Sequence, residues 1–111
     1  MAAQLFVPTR LFRLADADEV RRLIWMFNDD LIERMPELER ALVTGNAGAA
    51  YDAAHFLKGG AAVVGAPRIA GLCAEICDLT RGGSTAEAAP LYAPLAATAA
   101  QTRGLLLTYL G

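Results

Sequence analysis

Three glycine-containing breaks, Gly45-Asn46, Gly65-Ala66-Pro67 and Arg81-Gly82-Gly83, divide a chain otherwise dominated by alanine and leucine. Between the breaks apolar residues recur at helical spacing, and no stretch alternates apolar with polar as a half-buried strand would. Glycine and proline cost a helix interior about 1 and about 3 kcal/mol relative to alanine, so helix grows between such breaks and stops at them. The chain is therefore read as all-α.

The first helix opens at Asp16-Ala17-Asp18-Glu19. Asp16 can accept from an orphan amide of the first turn while Glu19 reaches back to the cap, a capping box. Val20, Leu23, Ile24, Phe27 and Leu31 form its buried stripe. Pro36 removes a backbone donor and is expected to interrupt the helix, with a further turn or two carrying Leu38 and Leu42. A second helix runs from about Ala47 to Val64 on the stripe Ala50, Ala54, Leu57, Ala61 and Val64, and Gly65 closes it in the left-handed conformation. Pro67 suits the first turn of a third helix, whose stripe is Ile69, Leu72, Cys73, Ile76 and Leu79. Ser84-Thr85-Ala86-Glu87 offers a second capping box for a fourth helix with Leu91, Leu95, Leu105, Leu106 and Tyr109. Pro90 and Pro94 either kink that helix or delay its start to near Pro94.

Connections this short place consecutive helices antiparallel, which predicts an antiparallel up-down four-helix bundle. Residues 1–15 carry Leu5, Phe6, Leu11, Phe12 and Leu14, too apolar to stay in water, and are read as a short N-terminal covering segment or helix. Trp25 and Ile32, off the first helix's stripe, are expected to lie beneath it. Residues 16–111 make the bundle, and 1–111 one domain, since 111 residues at 11.7 kDa are too few for two cores.

Charge and cysteine content exclude several function classes. Ten basic against twelve acidic residues leave a net charge of -2, which favours neither nucleic acid nor an anionic membrane. No apolar run approaches the roughly 20 residues of a membrane span, and no signal peptide is visible, so a cytoplasmic location is expected. Cys73 and Cys77 are too few for a disulfide scaffold and lie on a buried face, where they are expected to be reduced and metal-free, because a structural zinc needs four placed ligands. No nucleophile-base pair, carboxylate constellation or Gly-x-x-x-x-Gly-Lys loop is present, so an enzyme, in particular an ATP-dependent kinase, is not expected.

One histidine and one lysine remain, His55 and Lys58, on the same predicted helix. At about 100° per residue His55 points roughly 140° and Lys58 roughly 80° from the centre of the buried stripe, so both face outward. Gly59 and Gly60 follow, each costing a helix roughly 0.5 to 1 kcal/mol, and with Ala62 they bare a patch on which another molecule's backbone can approach the imidazole. Every other basic residue is arginine; lysine here supplies a compact ammonium on a flexible stem, one helical turn from the histidine.

The run Ala54-His55-Phe56-Leu57-Lys58-Gly59-Gly60-Ala61, followed by Val64-Gly65-Ala66 and Leu72-Cys73, resembles the signature of the histidine-containing phosphotransfer (HPt) domain. The resemblance covers nearly the whole chain, from the cap at Asp16 through Phe27 and Met35-Pro36-Glu37-Leu38 to the leucines of the last helix. Two residues depart from it: Gly60 stands where serine is frequent and is expected to loosen the helix beside the site, and Cys77 stands where an acidic residue is frequent, a packing change.

The resemblance implies a phosphorelay intermediate of two-component signalling. His55 would accept a phosphoryl group from the aspartyl phosphate of a receiver domain, in a response regulator or a hybrid histidine kinase, and pass it to another receiver. Lys58 would stabilise the charge of the transferring group. Docking would use Tyr51, Asp52, Phe56, Gly59, Gly60, Ala62 and Val63. No cofactor or metal is implied on this chain, and Mg2+ would belong to the receiver. The competing reading is a non-phosphorylated four-helix adaptor that binds a signalling partner, against which the retained His55 and Lys58 argue.

Overall fold

A computed structural model describes residues 4–110 and all their side chains but that of Leu11. The helices are α1 (Arg10–Leu14), α2 (Ala17–Thr44), α3 (Ala47–Val64), α4 (Pro67–Arg81), α5 (Thr85–Ala88) and α6 (Tyr92–Leu110), with one 3-10 turn, Ala89–Leu91, between the last two. Among the described residues there is no strand. The long helices α2, α3, α4 and α6 form an antiparallel four-helix bundle in which α3 lies between α2 and α4, and α6 packs against both of these.

Local chemistry explains where the helices start and stop. Asp16 accepts from the Glu19 amide at 2.9 Å and the Glu19 carboxylate accepts from the Asp16 amide, so the first capping box is complete. Gly45 (φ 77°) and Gly65 (φ 90°) end α2 and α3 in the left-handed region that side chains with a Cβ avoid. Asn46 caps α3 by accepting from the Ala49 amide. At Ser84 half of the expected box forms: its hydroxyl accepts from the Glu87 amide, while its own amide donates to the Leu79 carbonyl instead of to Glu87.

Pro36 does not interrupt the first long helix, contrary to the sequence expectation. α2 runs through it to Thr44. Pro36 is exposed, as is Ile32, the residue whose carbonyl loses its helical donor. Leu31, Met35, Leu38 and Leu42 keep one buried stripe across the proline. Burying such side chains contributes about 1.5–3 kcal/mol each, enough to outweigh a proline penalty of about 3 kcal/mol. Of the two readings of the last helix, the delayed start is the observed one: Pro90 sits in the 3-10 turn and Pro94 in the first turn of α6.

Small side chains dominate the buried face of α3, with Ala50, Ala53, Ala54 and Ala61 beside Leu57 and Val64, which lets α2 and α4 approach it closely. From the other helices Ile24, Phe27, Leu31, Leu38, Ile69, Cys73, Ile76, Leu95 and Leu106 complete the core. Arg103 of α6 donates through Nε to the buried Asn28 Oδ1 of α2 at 2.7 Å, joining the first and last long helices.

Of the N-terminal segment, residues 1–3 lie outside the described residues, and the rest crosses the end of the bundle. The Val7 amide donates to the Gly65 carbonyl at 2.7 Å, and the Thr9 hydroxyl donates to the Val63 carbonyl at 3.0 Å. A Cβ on residue 65 would fall on the Val7 carbonyl oxygen, so glycine is required there by contact as well as by conformation. Phe6, Phe12 and Tyr109 form an aromatic cluster with ring centroids 5.3–6.0 Å apart. The segment thus covers the end of α3 and the C-terminal part of α6. Trp25 and Ile32, expected beneath it, are exposed instead.

Candidate functional site

His55 stands on the solvent face of α3, flanked by α2 on one side and α4 on the other. On the α4 side its imidazole stacks on Tyr51, one turn earlier in α3, with ring centroids 5.5 Å apart and planes 9° from parallel. Tyr51 is held in turn by α4. Arg81 Nη2 donates to the Tyr51 hydroxyl at 3.3 Å, the guanidinium carbon lies 5.4 Å from the ring centroid, and the Cys77 thiol lies 4.0 Å from the Tyr51 carbonyl oxygen.

Lys58 is half-buried on this same flank, close enough to favour the thiolate forms of both cysteines. Burial outweighs that attraction. It pushes the Cys73 thiol up to about 12, with the neighbouring Cys77 adding to the rise, and raises Cys77 against the pull of Lys58 and Arg81. Both cysteines are free, buried and held as neutral thiols, which are poor nucleophiles and poor metal ligands. Among the described residues no three His, Cys, Asp or Glu side chains are grouped to hold a metal.

On the α2 side the exposed Phe56 ring lies under Arg34, whose guanidinium carbon is 4.3 Å from the ring centroid. Arg34 Nη1 donates to Glu37 Oε2 at 3.1 Å, while its Nε is buried without a partner. Beyond Phe56 a groove of about 200 Å³ between α2 and α3 is lined by Leu23, Met26, Phe27, Asp30, Gly60 and Val63. Burial first, then the charge of Glu33, raises the Asp30 carboxyl above its ordinary range, with Arg34 opposing.

The two glycines expected to act together prove different. A Cβ on Gly59 would meet nothing within 4 Å, so the surface beside His55 is open there. A Cβ on Gly60 would lie 3.0 Å and 3.3 Å from two atoms of the Phe27 ring. Gly60 is therefore where α2 and α3 touch, and it also forms the floor of the apolar groove. Asp52, Ala62 and Val63 are exposed and Tyr51 is half-buried, all on the open half of α3.

Arg34 and Arg81 were not singled out by sequence reasoning. Each comes from a neighbouring helix, and no spacing rule along the chain links either to His55. The available signal was an arginine ending α4 immediately before Gly82, on the helix expected to pair with α3.

A small four-helix bundle that carries one solvent-facing histidine midway along a helix, with a lysine one turn on and bare glycine surface beside it, belongs to a recognisable class of protein. The Hpt domain family model matches residues 22–106, and the chain belongs to that family. Among solved structures it is similar to histidine-containing phosphotransfer protein B from Pseudomonas aeruginosa PAO1, at 33% sequence identity and a TM-score of 0.79, over 84% of this chain and 81% of that one. No curated protein matches the chain. Histidine phosphotransfer in two-component phosphorelays is the role this membership supports, and proteins of the family work with receiver domains and kinases. Among the described residues no helix is long and apolar enough to cross a membrane.

Proposed function

We propose that this chain is a phosphorelay intermediate in which His55 takes a phosphoryl group from the aspartyl phosphate of one receiver domain and delivers it to a second. The observation that carries this reading is the exposed imidazole beside open surface at Gly59, which allows another protein's backbone to reach the ring. An unprotonated imidazole nitrogen attacks phosphorus in line, the P–N bond forms as the P–O bond to the aspartate breaks, and the electron pair leaves on the receiver's carboxylate. The second ring nitrogen keeps its proton. The reverse step returns the phosphoryl group to an aspartate of the next receiver.

A loose in-line transfer needs a placed nucleophile and compensation of charge on the equatorial oxygens. Lys58 is suited to supply that charge from one turn away, and Arg81 adds positive charge to the same flank. The apolar Phe56 and Val63 and the groove at Gly60 are suited to the body of the receiver. Mg2+ and the acidic pocket are assigned to the receiver, this chain needs no cofactor and uses no ATP, and residues 1–111 act as one cytoplasmic domain.

The test is transfer from a panel of labelled phospho-receivers from the source organism to wild-type protein and to His55→Gln. Wild type should take up acid-labile, alkali-stable label. His55→Gln should take up none, with its helical spectrum and receiver binding retained. Full biological activity of His55→Gln would instead establish the adaptor reading.

A further inference from the structure

We propose that Tyr51 is a positioning residue for the phosphoacceptor: packed against the core beside α4, its ring fixes the plane in which His55 presents its nitrogens. This rests on His55 being the residue that accepts the phosphoryl group. An exposed histidine on a helix samples several staggered χ1 wells and a broad χ2. The hydrogen bonds at this point of α3 run to Tyr51, and among the described residues what orients the imidazole is the near-parallel stack, 5.5 Å and 9°.

The geometry suits the chemistry. The lone pair of an imidazole nitrogen lies in the ring plane, so a neighbour on the ring face restrains the ring without occupying the direction of in-line attack. A phosphoryl group delivered by a docked receiver arrives from one direction, and a ring held in one orientation meets it without a search among rotamers. Tyr51 is itself half-buried against the core, and its hydroxyl accepts from the exposed Arg81 Nη2 at 3.3 Å, so the restraint comes chiefly from the packing of its ring and only secondarily from the arginine. Phe56, the other aromatic next to the histidine in sequence, lies under Arg34 on the opposite flank.

The experiment compares wild type, Tyr51→Phe and Tyr51→Leu. With a phospho-receiver at saturating concentration, Tyr51→Leu should transfer about three- to tenfold more slowly than wild type, the factor expected from releasing one rotamer into several, and this loss should persist at saturation whatever change in half-saturating concentration accompanies it, since Tyr51 also lies on the expected docking face. Tyr51→Phe keeps the stacking ring, loses only its hydroxyl anchor, and should recover most of the rate. Phosphoramidate, a small donor whose P–N bond breaks with loss of ammonia, approaches the ring in any rotamer and should label His55 equally fast in all three.

The carbon-bound ring protons of His55 should change chemical shift when Tyr51→Leu removes the neighbouring ring current, and should stay near their wild-type positions in Tyr51→Phe. The proposal is overturned by wild-type saturated transfer in Tyr51→Leu, by an effect confined to the half-saturating concentration, or by equal slowing with phosphoramidate, which would mean altered nucleophilicity. If no receiver labels wild type, the phosphotransfer reading fails instead, and identical His55 ring-proton shifts in wild type and Tyr51→Leu then overturn the positioning role independently.

Discussion

The two flanks of His55 are built from similar parts and differ in what the parts touch. On each, an aromatic residue of α3 lies under an arginine from a neighbouring helix: Tyr51 under Arg81 of α4, Phe56 under Arg34 of α2. The α4 flank brings its ring onto the imidazole, ties it down by a hydroxyl, and adds the ammonium of Lys58. The α2 flank leaves its ring open, balances its arginine with Glu37, and continues into an apolar groove floored by Gly60. Under the proposed function, one flank orients the nucleophile and supplies positive charge for the transferring group, while the other offers surface to the receiver. The same pairing of residue types does different work according to whether its ring reaches the histidine.

The largest expected effects come from the two adjacent glycines, which the flanks use in opposite ways. Gly59→Leu should fold with unchanged or slightly higher thermal stability, because a Cβ there meets nothing within 4 Å and helix propensity improves. Its new side chain should stand where the receiver approaches, and surface plasmon resonance and transfer assays should both show a loss of tenfold or more. Gly60→Leu should instead force the Phe27 ring out of place, since even a Cβ there lies 3.0 Å from it. Overpacking of this kind costs about 1–3 kcal/mol, and calorimetry should find the melting temperature lowered by roughly 4–15 °C. If both variants lose docking with no change in stability, the distinction between an open and a packed glycine is wrong.

Next in size is Lys58→Ala. Removal of one charge at a partly wet site corresponds to about 1.4–2.7 kcal/mol of transition-state stabilisation, so transfer should slow roughly 10- to 100-fold while receiver binding changes little. Equal losses in binding and transfer would move Lys58 from the chemistry to the docking surface.

The smallest effect belongs to Asp30 at the edge of the groove. Its folded-state carboxyl is raised, chiefly by burial, so ionising it costs the folded protein stability once the pH exceeds the ordinary aspartate value of 3.8. Asp30→Asn should therefore melt slightly higher than wild type at pH 7. That gain should vanish as the pH falls to 3.8 and below, where both states of the wild type carry the proton. Thermal melts across pH 3 to 7 check both the sign and the window.

Much of this architecture was legible because its punctuation is local. Asp16 with Glu19, Gly45, Gly65 and Pro67 each act within one helical turn, and the helix ends fall where those residues set them. Pro36 was misread because its penalty is also local, while the burial that overrides it is tertiary. The outward orientation of His55 followed from phase alone. Gly60 did not, because it lies about 80° from the stripe centre, at the border between core and solvent, and what lies across that border depends on where α2 packs. For the same reason neither Arg34 nor Arg81 could be connected to the site before the helices were placed beside one another. Trp25 and Ile32 were misassigned because a covering segment can be recognised from its apolar residues, whereas its destination is set by the Val7, Thr9 and Gly65 contacts.

If His55 is the phosphoryl-bearing stop in a relay, locating the phosphoryl group tests that role most directly. Wild-type protein should be charged by a phospho-receiver, digested at neutral to alkaline pH so that a phosphoramidate bond survives, and sequenced by tandem mass spectrometry. The added phosphoryl mass should fall on the peptide containing Ala54-His55-Phe56, assigned to His55, and should disappear when a second, unphosphorylated receiver is added. A phosphoryl group on any other residue, or one on His55 that no receiver can remove, would contradict it.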